Sequence, residues 1–488
     1  MKPSFDADTA AGAAPAAHRD RRWLALIVLC LGVLMIVLDT TIVNVALPSI
    51  KSDLKFSDTS LAWVVNAYML TFGGFLLLGG RLGDLYGHRR FFLLGITLFT
   101  LASLACGLAT SQAFLIAARA IQGFGGATVT AVALSLIMDL FSEPGDRAKA
   151  MGVYGFVCAG GGSIGVLLGG LLTGTLDWHW IFLVNLPIGA VVFALSIWLL
   201  PAAHKAAASR NLDVAGAVTV TASIMLATYA IVGGNEAGWE STETLGLLGV
   251  AVVLLIAFLV IESRVKAPLM PLGLFRLRNV AVANVVGVFW AAAMFAWFFL
   301  SALYMQLVLG YAPMQVGVAF LPSNLIMAAF SLGLSAKIIM RFGIRLPLFV
   351  GLMLAAAGLL LFARVPVDGT LMADVLPGML LLGLGAGMAF NPVLMAAMSE
   401  VGPEDSGLAS GVVNTSFMMG GSLGLACLAS LAASRTASTL AQGVEHAAAL
   451  AAGYRVAFLV GALFAGLAAI IGGALLRTRD ALGSSSAH

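Results

Sequence analysis

Apolar residues run along this chain in long blocks, not in the two-residue alternation of a half-buried strand. About fourteen blocks have roughly the length of a bilayer-spanning helix. They fall near 24–47, 60–80, 91–110, 113–137, 150–174, 181–200, 213–233, 245–264, 280–304, 314–335, 346–363, 373–397, 407–433 and 452–476. The segments between them are short and leave no room for a soluble catalytic domain, a nucleotide-binding module or a large ectodomain. The pattern predicts an all-α polytopic membrane protein.

The basic residues test that count. If the N-terminus is cytoplasmic, 20 of the 26 Lys and Arg residues fall on cytoplasmic segments and five (Lys51, Lys55, Arg364, Arg435 and Arg455) on outer ones. Arg119 alone lies within a span. A wrong helix count would scramble this bias, so the positive-inside rule predicts fourteen spans with both termini in the cytoplasm of a multi-pass cell-membrane protein. Composition agrees: the 488 residues are 60% hydrophobic and 10% charged, against roughly 25% charged in soluble domains. A net charge of +3 is too small to suggest a nucleic-acid partner. The four cysteines (Cys30, Cys106, Cys158, Cys427) sit in apolar runs without metal-ligand spacing and read as small buried hydrophobes. The first span is too long for a signal-peptide core and is expected to be retained.

Chemistry concentrates where the apolar pattern is broken. Residues 38–48 read LDTTIVNVALP and place Asp39, Thr40, Thr41 and Asn44 inside a spanning helix. A carboxylate at that depth is costly and marks a functional site unless it is silently paired. Residues 115–127 read LIAARAIQGFGGA, with Arg119, Gln122, Gly123 and Gly126 on one helical face. Counted from the outer ends of their spans, Asp39 and Arg119 both lie roughly 12–14 Å deep. They are opposite charges at matching depth, expected to pair; the alternative is that each bonds to backbone or a neighbour. Residues 80–90, GRLGDLYGHRR, follow the second span. Gly83 and Gly87 there permit a tight turn, and Asp84 can cap a helix or pair with Arg81 or Arg90, as in a conformational latch. In the fifth span Gly161, Gly165 and Gly169 recur every four residues and make a smooth packing face. Trp178 and Trp180 look like interfacial anchors; Asn185 enters the sixth span, and His179 is assigned no role.

Taken in order, these motifs resemble the major facilitator superfamily, in particular its fourteen-span drug/proton antiporters of the EmrB/QacA type. The resemblance covers nearly the whole chain. It implies a proton-coupling centre at Asp39 and Arg119, a cytoplasmic gating motif at Gly80, Asp84, Gly87 and Arg90, and an antiporter-type glycine motif at Gly152, Gly161, Gly165, Gly169 and Gly170. Two positions depart from the family pattern: Val166 stands where the glycine motif has Pro, and Met340 stands where the second gating motif would repeat Asp84.

An echo supports an internal repeat, because Arg81-Leu82…Gly87-His88-Arg89 has the same pattern as Lys337-Ile338…Gly343-Ile344-Arg345. The expected organisation is a cytoplasmic tail (1–22), an N-terminal six-helix bundle (23–200), an inserted helix pair (211–264), a C-terminal six-helix bundle (279–477) and a second tail (478–488). The expected activity is proton-driven export of small amphipathic molecules, neutral or monovalent, by a monomer working through alternating access without metal or cofactor. Asn44, Trp63, Asn66, Gln122, Trp290, Met294, Trp297, Gln306, Asn324, Asn391 and Asn414, with Met388, are the candidates for its largely apolar cavity. A proton-coupled importer on the same fold and a transport-inactive membrane sensor remain alternatives. A membrane-embedded enzyme would need His, Cys or paired carboxylates clustered within the spans, and the sequence has none.

Overall fold

The computed structural model describes residues 14–57, 59–141, 143–200, 213–266, 268–330, 334–401 and 406–477, and every regular element among them is helical. The first set of helices is α1 (Ala14–Leu54), α2 (Trp63–Tyr86), α3 (His88–Gly107), α4 (Gln112–Leu140), α5 (Pro144–Thr175), and α6 (Trp180–Leu183) continuing as α7 (Asn185–Leu199). A hairpin of α8 (Val214–Ala237) and α9 (Thr242–Arg264) follows. The second set is α10 (Arg278–Leu303), α11 (Pro313–Ala329), α12 (Ser335–Phe342), α13 (Arg345–Phe362), α14 (Leu376–Met398), α15 (Ser406–Leu440) and α16 (His446–Leu475). The expected tails, apart from residues 14–22, lie outside the described residues.

Twelve helical segments of the described residues are long and apolar enough to cross a membrane. α5 and α11 stand where the fifth and tenth spans were expected; their apolar stretches, Ile164–Thr175 and Pro313–Ala329, are shorter. Local sequence accounts for several boundaries. Ser111, Asp213 and Ser241 cap α4, α8 and α9 by accepting hydrogen bonds from Phe114, Gly216 and Thr244 amides. Pro144 and Pro313 occupy first turns, where a missing N–H is harmless.

The packing repeats. In the first set α1 touches α4, α5 and α7, α4 touches α2 and α3, and α3 touches α7. In the second set α10 touches α14, α15 and α16, α14 touches α11 and α13, and α13 touches α16. Replacing each helix by its counterpart maps these six contacts of one set onto those of the other. The two sets meet along α5–α11 and α2–α15, which the same exchange interconverts.

The inserted hairpin covers the α2–α15 seam. Thr221 of α8 lies against Gly74 of α2, and Asn235 Nδ2 donates to Ser430 O (2.7 Å) and Oγ (2.8 Å) of α15. At its other end Asp213 and Glu262 are both buried and flank Gly216. Most of α9 remains uncovered, as suits an apolar helix facing lipid.

Two readings of single residues change. Trp178 is not an interfacial anchor: it is 3% exposed, and its indole Nε1 donates to Asp53 Oδ2 at 3.0 Å. The N–H found a carboxylate at the end of α1, which lets the ring bury; Trp180 stays exposed. His179 stacks on Trp178 and pairs with Asp177. Cys30 and Cys106 are buried, but Cys427 is exposed on α15, where an apolar thiol needs only lipid. The Cys158 side chain lies outside the described residues.

The echo between the two halves has a structural meaning. Gly87 (φ 101°) and Gly343 (φ 72°) end α2 and α12 in backbone conformations that disfavour any Cβ. Each turn then aims an arginine at the carbonyl end of a neighbouring helix. Arg89 Nη2 donates to Ile197 O of α7 at 2.5 Å, and Arg345 Nε donates to Gly473 O of α16. A guanidinium there satisfies terminal carbonyls and complements the helix dipole. Because both arginines are partly exposed, each is worth about 0.5–1 kcal/mol. Arg89→Ala and Arg345→Ala should each lower the unfolding temperature in detergent by a few degrees. No loss in either would mean that solvent satisfies those carbonyls as well as arginine does.

Candidate functional site

Asp39 comes from the middle of α1 and is fully buried, as is Arg119 of α4 at 1% exposure. Arg119 Nη1 donates to Asp39 Oδ2 at 2.5 Å. The other carboxylate oxygen, Oδ1, accepts from Gln122 Nε2 at 2.7 Å and from Asn185 Nδ2 at 3.2 Å. Gln122 and Asn185 also reach Ser103 Oγ of α3, at 2.8 and 3.4 Å. Four helices therefore converge on one carboxylate.

Arg119 is held independently of that carboxylate. Its Nε donates to Val64 O (2.9 Å), its Nη1 also reaches Gln122 Oε1 (2.7 Å), and its guanidinium carbon lies 4.4 Å from the centre of the Tyr68 ring. The aromatic face solvates positive charge where water is excluded. Cys106 Sγ approaches Gln122 Oε1 at 3.7 Å. Chemically this is a buried carboxylate beside a cation that has three partners besides it.

The glycine face of α5 packs on the same part of α1. A Cβ on Gly161 would meet Val37 at 2.9 Å, one on Gly165 the Leu38 carbonyl oxygen at 2.9 Å, and one on Gly169 the Ile42 carbonyl oxygen at 2.7 Å. Gly165 thus seats the turn that carries Asp39, where any side chain would force the helices apart. Gly170 faces the other half instead, 2.8 Å from Pro313 O by the same construction, and Gly317 of α11 faces Val166 O at 3.0 Å. α5 is sandwiched between α1 and α11. It runs unbroken past Val166, which is 1% exposed.

The remaining candidates are dispersed. Gly80 lies on α2 with Ala131 of α4 nearby, Gly87 forms the turn described above, and Arg90 is exposed. The Asp84 side chain and the surroundings of Gly152 lie outside the described residues. Asn44 and Asn414 bond back to their own helices through Thr40 O and Ser410 O. Gln306, in the π-helical turn Tyr304–Val308, donates to Val45 O of α1 at 2.9 Å and so ties the two halves at one end of the bundle. Met294 and Asn391 are half-buried, and Met388 packs on Gly351. Asn66, Trp290, Trp297 and Asn324 are almost fully buried and keep side-chain polar atoms without hydrogen-bond partners. Trp63 lies elsewhere, paired with Tyr229 of the inserted hairpin.

Ser103, Tyr68 and Cys106 were not legible as site residues. A serine or tyrosine in a spanning helix is unremarkable alone, and only the fold brings these next to Gln122 and Arg119. Asn185 carried a signal, an amide in an apolar run just after the α6–α7 break.

Two helical sets that meet along α5–α11 and α2–α15, the first of them built around a buried ion pair, define a polytopic membrane protein of transporter architecture. The chain belongs to the Major Facilitator Superfamily, whose family model matches residues 29–425. It is 39% identical to the puromycin resistance protein pur8 of Streptomyces alboniger, over 99% of this chain and 98% of that one. It is also 39% identical to the cephamycin export protein CmcT of Amycolatopsis lactamdurans, over 86% and 87% of the two chains. A crystal structure of an auto-inhibited POT-family peptide transporter shares the fold, with a TM-score of 0.66 at 17% identity over 95% of this chain and 98% of that one.

The ion pair makes a stability prediction that needs no transport assay. Removing either charge strands the other in low dielectric and costs ~3–5 kcal/mol, whereas replacing both leaves nothing stranded. Asp39→Ala and Arg119→Ala should each lower the unfolding temperature more than the double variant does. Strictly additive losses in a double-mutant cycle would show that the two charges are solvated separately.

Proposed function

We propose that this protein is a proton-coupled exporter of small amphipathic compounds that works by alternating access. The observation that carries the reading is the Asp39–Arg119 pair, a titratable carboxylate whose cationic partner is held in place without it. The names of its relatives point the same way: puromycin resistance and cephamycin export are antibiotic-protective roles.

In this reading Asp39 binds Arg119 when ionised. A proton arriving at Asp39 removes the charge and weakens the tie between α1 and α4, while Arg119 stays on Val64, Gln122 and Tyr68. α1 is then free to shift against the glycine face of α5. Because α5 also carries Gly170 against α11, that shift reaches the second half of the molecule. Inward proton movement contributes ~2.3 kcal/mol per 100 mV of membrane potential. With Val166 in place of a proline, α5 runs unbroken past its contact with Gly317 of α11.

The proposed chain has fourteen spans, α5 and α11 included, and both termini cytoplasmic. The tie between Gln306 and Val45 then closes the outer side, which corresponds to an inward-facing state. Asp84 and its turn act as a cytoplasmic latch. Asn66, Trp290, Trp297 and Asn324 supply polar groups to an otherwise apolar substrate path. Apart from Asp39, the carboxylates Asp139, Asp213, Glu262 and Asp374 stand at helix ends, and Asp374 caps its own turn through Thr370. The path therefore suits neutral or singly charged substrates, since a second buried ligand charge would go uncompensated.

The test is puromycin efflux in inverted vesicles energised by a proton gradient. Wild-type protein should accumulate puromycin in the vesicles and collapse on addition of a protonophore, and Asp39→Asn should be inactive at normal membrane levels, because an amide keeps the shape but cannot titrate. Full gradient-dependent transport by Asp39→Asn would overturn the assignment, and movement in the opposite direction would indicate an importer.

A further inference from the structure

The inserted hairpin has no part in the proton-coupling centre, yet it encloses a cavity of about 460 Å³ against the first six-helix set. The cavity lies where α1 ends, α2 and α4 begin, and α8 turns into α9. Its size is in the range of small-molecule sites. Trp63 and Tyr229 form one wall, with ring centres 6.3 Å apart at 49°, and Leu247 of α9 adds an aliphatic surface. Lys55 and Glu243 also line it. These opposite charges are exposed, and among the described residues neither makes an ion pair, with the other or with any third group.

Lys55 is set rather than loose at its backbone. Among the described residues it is the non-glycine residue with positive φ (59°), and Gln112 Nε2 donates to both Leu54 O (3.0 Å) and Lys55 O (2.9 Å). The end of α1 is thereby pinned to the start of α4 in a conformation that costs energy for a lysine. The result is a preformed opening whose lining combines an ammonium, a carboxylate and two aromatic rings.

We propose that this cavity binds a zwitterionic amphiphile. Its anionic group would pair with Lys55, its ammonium with Glu243 and the Trp63 and Tyr229 faces, and its apolar part would lie along the uncovered surface of α9. Such chemistry comes from two sources, a phosphoethanolamine lipid headgroup or an exported compound carrying both charges. The site stands apart from the Asp39 centre and does not depend on the direction or coupling of transport.

Binding can be measured by calorimetry on the full-length protein in detergent, with dihexanoyl phosphatidylethanolamine as probe and dihexanoyl phosphatidylglycerol, which lacks the ammonium, as comparison. Losing one charge-assisted contact is expected to weaken binding about ten-fold. Glu243→Gln should therefore weaken the ethanolamine lipid about ten-fold and leave the glycerol lipid unchanged, while Lys55→Gln should weaken both. Asp39→Asn should bind both lipids like wild type, so a failed transport reading would not affect the result. Displacement of the lipid by ampicillin, a zwitterionic antibiotic, would assign the site to exported compounds, and no displacement would assign it to lipid. Equal lipid affinities in wild type, Glu243→Gln and Lys55→Gln would overturn the proposal and leave an ordinary interfacial belt of Lys, Trp and Tyr.

Discussion

A carboxylate and a guanidinium in the middle of an apolar helix bundle constrain everything around them. Neither can be left unpaired at acceptable cost, so α1 and α4 must approach with Asp39 and Arg119 in register. The second carboxylate oxygen still needs donors, and α4 and α7 supply them through Gln122 and Asn185. Arg119 has partners besides the carboxylate, among them Val64 and Tyr68 on α2. The first six-helix set is organised about this one cluster of polar contacts, since lipid-facing helices gain little from hydrophobic contact with each other.

The glycine face of α5 extends that constraint to the second set. Gly165 admits the Asp39 turn at backbone distance, and Gly170, with Gly317 from the facing helix, admits α11. A helix with side chains on both of these faces could not touch both neighbours at once. The same geometry that permits close packing places α5 between α1, which carries Asp39, and α11 at the seam between the two halves.

Much of this was legible in the sequence because misfit residues are conspicuous in membrane helices. Asp39 and Arg119 stood out as lone charges in apolar blocks, and Gln122 followed Arg119 on the same helical face. The glycine spacing announced a packing face, although nothing in it named α1 and α11 as the partners. The internal repeat was visible only as the echo of Gly87-His88-Arg89 in Gly343-Ile344-Arg345, while in the structure six helix contacts of one set recur in the other. Convergence was what the sequence lacked. Ser103, Tyr68 and Asn185 lie on three different helices, and their approach to one site depends on tertiary packing. Trp178 was misread for the same reason: an indole at a span end suggests an interface until a distant carboxylate, Asp53, accepts its proton and lets it bury. Trp63 read as a candidate for the substrate cavity, and the structure sets it apart from the other candidates, beside Tyr229 of the inserted hairpin.

The central claim of the proposed function is that export is coupled to a proton carried by Asp39. It is tested most directly by measuring proton release when an exported compound is added to detergent-solubilised protein in weakly buffered solution. Wild-type protein should release protons on saturation with puromycin, and Asp39→Asn, which has no proton to give at that position, should release none while still binding the compound. Equal release from both proteins would place the coupling proton elsewhere and contradict the role given to the Asp39–Arg119 pair.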